Sequence, residues 1–197
     1  SGPDKKLTDI INTQVLRLNG VVENVLQLSR QQRGTAEPIE LLPWLHKFKQ
    51  EYIASQGLDN RQIKIYVKPE DTSILFDASH LHQVMWNLCS NAVNHCRMPL
   101  AQVIINLQGG IEMESSQPFI DVIDNGPGID PETDKEIFDP FFTTSNEGTG
   151  LGLYITKEVT ESNRAKIRHI ELPAGGTCFR IYFLQAPEQQ LSKVSNI

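Results

Sequence analysis

The chain has 197 residues, 39% of them hydrophobic and 21% charged, a globular composition that excludes a disordered protein. A formal net charge of −6 argues against a general nucleic-acid binder, although backbone N–H groups can still hold an anion locally. Cys89, Cys96 and Cys178 match no zinc spacing and read as reduced apolar fillers, and no apolar run approaches the roughly 18 residues of a membrane span.

Residues 7–32 hold no proline and only Gly20. Leu7, Ile11, Gln14, Leu18, Val21, Val25 and Leu28 step by four and three, a heptad seam with one polar member. Such a stripe must pack on another helix. Its length, and the break after it, favour a strand of a helical bundle over a helix lying on the next domain. Gly34 and Pro38 stop the helix and open a linker. The expected division is a bundle helix at 1–33, a second domain at 34–187 and a loose polar tail at 188–197.

In the second domain, residues 39–42 read as a short strand, and Pro43-Trp44 can start a helix running to Ser55. Residues 63–67 alternate like a strand. Ser79 or Asp77 caps a helix to about Cys96. Residues 102–107 and 119–123 are strands, and 127–146 is a long loop with short helical pieces. A helix follows at 151–163, then a hairpin of 166–172 and 177–183 around Ala174-Gly175-Gly176. Helices interspersed with successive strands give an α+β fold, with helices on one face of a sheet.

Four segments carry candidate chemistry. On the helix after Asp77, Asn87, Asn91 and either Asn94 or His95 share one face at steps of three and four. Asparagine is a mediocre helix former, so the stripe suggests a polar task, such as an amide oxygen for Mg²⁺; the bland reading is a solvated face. Asp124-Asn125-Gly126-Pro127-Gly128-Ile129 ends a strand in a carboxylate and a tight turn. Asp124 can accept from an exocyclic amine while Gly126 and Gly128 admit a flat ring, or the stretch is simply a turn. Phe138, Phe141 and Phe142 either anchor a lid or form a satellite core. Gly148-Thr149-Gly150-Leu151-Gly152-Leu153 precedes a helix and can aim several N–H groups at one anion, although it is neither a P-loop nor a dinucleotide fingerprint.

In this order, "NLCSNAVNH", "DNGPGI", "FDPFFTT" and "GTGLGL" resemble the N, G1, F and G2 boxes of sensor histidine kinases, within the Bergerat-fold ATPases. The resemblance covers roughly residues 35–185 and is nearest to the nitrogen-sensor and type IV pilus sensor-kinase branch. It implies a two-layer α/β sandwich whose mixed sheet is covered by helices on one face, with ATP and Mg²⁺ as cofactors. By resemblance, Asn91 ligates Mg²⁺ and Asn87 faces the phosphates. Asn94 and His95 flank the nucleotide. Asp124 takes the adenine amine, Thr177 shares a water with it, and Gly126, Gly128 and Ile129 shape the adenine pocket. Thr144, Gly148, Thr149, Gly150, Leu151, Gly152 and Leu153 close on the triphosphate, with Phe138, Phe141 and Phe142 anchoring the lid. The implied reaction passes the γ-phosphoryl group to a histidine and then to a response-regulator aspartate, with control of pilus genes as one possible output. The implied partners are that regulator and a second copy paired through the bundle, with no nucleic acid and no membrane contact by this stretch. The implied setting is the cytoplasmic part of an inner-membrane sensor.

Two departures stand out. The acceptor should be a histidine followed by an acidic residue, yet His46, His80, His82, His95 and His169 precede Lys, Leu, Gln, Cys and Ile. The sequence therefore reads as the second bundle helix plus the ATP-binding domain, unable to phosphorylate itself. Ser145 stands where a lysine is common after "FFTT", and Lys157, on the following helix, is a poor substitute. A hydrolytic ATPase of the same superfamily would carry a glutamate base about four residues before the metal asparagine, where this chain has Asn87.

Overall fold

The computed structural model describes residues 35–145, 148–173 and 175–185. The heptad helix expected at 1–33 and the tail expected at 188–197 lie outside them.

Chain order runs β1 (Glu37–Glu40), α1 (Leu41–Gln56), β2 (Ile63–Lys68), β3 (Ser73–Phe76), α2 (Ala78–His95), β4 (Ile105–Ile111), β5 (Pro118–Asp124), α3 (Gly152–Ser162), β6 (Lys166–Ile170), β7 (Cys178–Tyr182) and β8 (Leu184–Gln185). Five strands form a mixed sheet in the order β2-β4-β5-β7-β6, parallel only between β2 and β4. A smaller antiparallel sheet has the order β1-β3-β8.

The strand expected at 39–42 lies two residues earlier, because α1 begins at Leu41. Pro43 fits in that first turn, where a backbone N–H has no helical partner. Leu41, Leu45, Phe48 and Tyr52 form the helix's buried stripe, and Gly57 closes it in the left-handed conformation at φ 66°. Asp77, rather than Ser79, caps α2: Ser79 N and His80 N donate to Asp77 Oδ1 at 2.9 and 3.0 Å.

The strand expected at 102–107 is displaced to Ile105–Ile111, after a 3-10 turn at Leu100–Gln102. Polar side chains hold the backbone ahead of it. Gln62 Nε2 donates to Leu100 O and Val103 O, and Asn125 accepts from Ile104 N and donates to Gln102 O. The helical pieces expected within 127–146 are turns instead, as in Thr133 N to Asp130 O at 2.9 Å.

The sheet's register sets Leu107, Val122 and Phe179 side by side, with Ile120 beside Ile181. These residues are buried, and α1, α2 and α3 cover them. The opposite face bears Lys64, Tyr66, Lys68, Lys166 and Arg168, all exposed. At its centre Arg180 grips buried Asp121 in a two-pronged pair, both distances 2.7 Å, while its guanidinium lies 4.3 Å from the Phe119 ring centre.

Candidate functional site

A cleft of about 1040 Å³ opens where the C-terminal half of α2, the end of β5, the segments 127–145 and 148–150 and the start of α3 meet. Its lining includes Asn91, Asn94, His95, Asp124, Gly128, Ile129, Thr144, Gly148, Thr149, Gly150, Gly152, Leu153 and Thr177. These residues come from separate stretches of the sequence, and the sheet and helices bring them to one cavity.

Asp124 sits at the tip of a central strand because β5 pairs with β4 up to that residue. Gly126 N and Thr177 N donate to its Oδ1 at 2.8 and 3.2 Å, and its own N–H donates to Thr177 O at 3.0 Å. Burial raises its pKa above the ordinary aspartate value, against the pull of these donors, the Thr177 hydroxyl and His95. Gly126 is required here, since a Cβ would lie 2.9 Å from Asp124 Oδ1 and 3.1 Å from the Cys96 Cα. Burial of its ring, then the charge of Arg97, lowers the pKa of His95, while Asp124 opposes both. His95 is therefore neutral at pH 7.

Asn87 is not in the lining. Its Nδ2 lies 3.5 Å from the Thr156 Oγ1 of α3, and that hydroxyl donates to Gly152 O at 2.8 Å. The residue thus joins α2 to the first turn of α3. Leu151 and Gly126 also lie outside the lining, Leu151 being buried in the core.

The three phenylalanines have different surroundings. Phe138 packs edge-on against Phe179, ring centres 6.0 Å apart, Phe142 lines the cleft and Phe141 is 69% exposed. Phe141 N donates to Gly150 O at 2.9 Å, tying the phenylalanine turn to the glycine loop. Gly150 has φ 68°, and a Cβ there would lie 2.4 Å from the Phe141 carbonyl carbon. Only glycine permits that crossing.

Sequence reasoning missed Arg97, Asp130, Ile137 and Phe179, which also line the cleft. Arg97 follows the end of α2 at φ 53°, so helical periodicity could not reach it. Lys157 lies outside the lining. Asn91 fits a Mg²⁺ ion by its chemistry: an amide oxygen is a hard, neutral donor. Among the described residues no group of three His, Cys, Asp or Glu could form a metal cage. Among the described residues no helix is long and apolar enough to cross a membrane.

Comparison with known proteins gives a consistent pattern. The family described as histidine kinase-, DNA gyrase B-, and HSP90-like ATPase matches residues 76–187. The sensor protein kinase PilS of Pseudomonas aeruginosa is 39% identical over 92% of this chain, which spans 34% of the PilS length. Among solved structures, the nucleotide-free catalytic domain of histidine kinase ThkA is 26% identical with a TM-score of 0.62, covering 78% of this chain and 97% of that one. ThkA in complex with the response regulator TrrA is 24% identical with a TM-score of 0.68, covering 96% of this chain and 54% of that one. Full-length ShkA in complex with AMPPNP is 20% identical, with a TM-score of 0.69, covering 94% of this chain and 40% of that one.

Proposed function

The chain belongs to the histidine kinase-, DNA gyrase B-, and HSP90-like ATPase family, and from that premise we propose that residues 34–187 are the ATP-binding catalytic domain of a two-component sensor histidine kinase. The observation that carries the reading is a single cleft lined by a strand-end carboxylate, Asp124, a helix amide, Asn91, and the glycine backbone of 148–152. These are the three kinds of group an adenine nucleotide and its metal require.

Each group has a distinct task. Asp124, held by two backbone donors, accepts the adenine amine. The N–H groups of the glycine loop and the positive end of α3 meet the phosphate chain. Asn91 would hold Mg²⁺ through its amide oxygen, and the ion would supply positive charge to offset that of the phosphates. The γ-phosphoryl group moves to a neutral imidazole nitrogen supplied by a bundle helix. The bond from phosphorus to the ADP oxygen breaks as the bond to nitrogen forms. Positioning and electrostatic stabilisation do most of the work. The group then passes to a response-regulator aspartate. PilS is by name a sensor protein kinase and ThkA a histidine kinase solved with a response regulator, and likeness to both supports this reading; control of pilus genes is the proposed output, on the sequence resemblance to the pilus branch alone.

Calorimetric titration with AMPPNP and Mg²⁺ tests the reading. The expected result is saturable one-site binding that the Asp124→Asn change weakens by at least about a hundredfold; absent binding, or binding indifferent to that change, would overturn it.

A further inference from the structure

A polyanionic nucleotide needs positive charge, and the cleft offers little. Its lining contributes the carboxylates of Asp124 and Asp130, and among the described residues one cationic side chain, Arg97. Ser145 follows the phenylalanine turn without a charge, and Lys157 is outside the lining. Two arginines elsewhere are already committed to ion pairs, Arg61 to Asp59 and Arg180 to Asp121 and Glu112. Arg97 is exposed and forms no ion pair among the described residues.

Its backbone is fixed where the purine end of the cleft lies. Cys96, immediately before it, donates its thiol to Asn125 Oδ1 at 3.3 Å. The stretch after it is clamped by the same amide, through Ile104 N at 2.8 Å and Gln102 O at 3.0 Å. Asn125 adjoins Asp124, so one side chain ties both flanks of Arg97 to the strand end that carries the carboxylate. Arg97 itself occupies the left-handed region at φ 53°, unusual for a residue with a Cβ. A long flexible cation is therefore mounted on a stiff turn beside the site.

We propose that Arg97 is the nucleotide-binding cation of this cleft, its guanidinium meeting the phosphate chain from the purine side. The inference rests on the nucleotide reading and adds a residue to it. A guanidinium forms charge-assisted bonds to phosphate oxygens and keeps its charge at any working pH. Because the contact is electrostatic and solvent-facing, it weakens with salt.

The test compares the whole chain with Arg97→Gln and Arg97→Lys by calorimetry against adenosine, ADP and AMPPNP, with Mg²⁺, at low and high salt. Expected is a loss of about tenfold for AMPPNP in Arg97→Gln, a smaller loss for ADP and none for adenosine. Arg97→Lys should regain most of the loss, and the salt dependence should shrink in the glutamine variant. Equal losses for all three ligands would mean that the guanidinium stacks on the base, and would overturn the proposal, as would unchanged AMPPNP affinity. Loss of AMPPNP binding by the unaltered chain would instead overturn the nucleotide reading itself, so the two failures are distinguishable.

Discussion

Asp124 is half-buried, and the nucleotide reading needs it as an anion; the donors on its Oδ1 reconcile the two demands. Asparagine at this position keeps an oxygen for Gly126 N and Thr177 N, so Asp124→Asn should fold normally. It presents an amide N–H toward the ligand amine, two donors facing each other, and calorimetry should show AMPPNP affinity down by at least about a hundredfold. The raised pKa fixes the sign of a pH effect. In the folded protein Asp124 takes up its proton at a higher pH than a free aspartate, so affinity, full at neutral pH, should decline on acidification before ordinary carboxylates titrate. For folding the sign reverses: the group favours the folded state when protonated, and that contribution is lost as pH rises from the unfolded value of 3.8 through the folded one. Affinity titrated from pH 7 downward should therefore fall in the unaltered chain and stay flat in the asparagine variant. A fall of equal size in both would assign the effect to His95. Asp124 was legible in the sequence because a carboxylate followed by glycines is a local pattern. The partnership with Thr177, 53 positions away, exists only once β5 and β7 pair.

At the scale of elements, local signals located α1, α2 and α3 to within a residue or two, because each has a periodic stripe and α2 has a cap. They missed β3 and β8, which are short and gain their meaning from pairing with each other and with β1. They misplaced β4, where Gly109-Gly110 hides the strand signal and side chains of Gln62 and Asn125 occupy the backbone before it. The pairing of β5 with β7 is reinforced by Asp121 and Arg180, which the sequence alone does not connect. Asp121 is 3% exposed, so Arg180→Met strands a carboxylate inside the sheet. Allowing for partial solvent access to the arginine, the cost should be about 2–4 kcal/mol, read as a lowered denaturant midpoint. Asp121→Asn combined with Arg180→Met should recover much of it. The loop crossing makes a different prediction. Gly150→Ala drives a methyl into the Phe141 carbonyl and disfavours φ 68°, so AMPPNP affinity should drop about tenfold or more. The crossing sits at the cleft and not in the core, so the unfolding midpoint should move little; a large shift would make Gly150 a fold residue instead.

For the molecule as a whole, the arrangement separates a scaffold from a working edge. Helices and the apolar sheet face form one core, and the cleft lies where helix ends, a strand tip and a glycine loop converge at its margin. Such a site can hold a nucleotide with its phosphates toward solvent, where a second protein can approach. Asn87 lies one turn before Asn91 on α2, outside the cleft lining. Asn87 has an amide, which has no basic lone pair for activating water, and it is engaged with Thr156. Hydrolysis should therefore be slow, and transfer should depend on an imidazole brought from outside the cleft. None of the five histidines here precedes an acidic residue, so the acceptor must be tested in trans. Mixed with γ-labelled ATP, Mg²⁺ and a separate helical pair bearing histidine followed by an acidic residue, the chain should label that helix. The product should lose its label in acid and keep it in base, as a phosphoramidate does. Labelling should vanish with Asp124→Asn, and free phosphate should trail the labelled helix throughout. Rapid phosphate release without labelling would mean that water is the natural acceptor, and a label that survives acid would mean that a hydroxyl is.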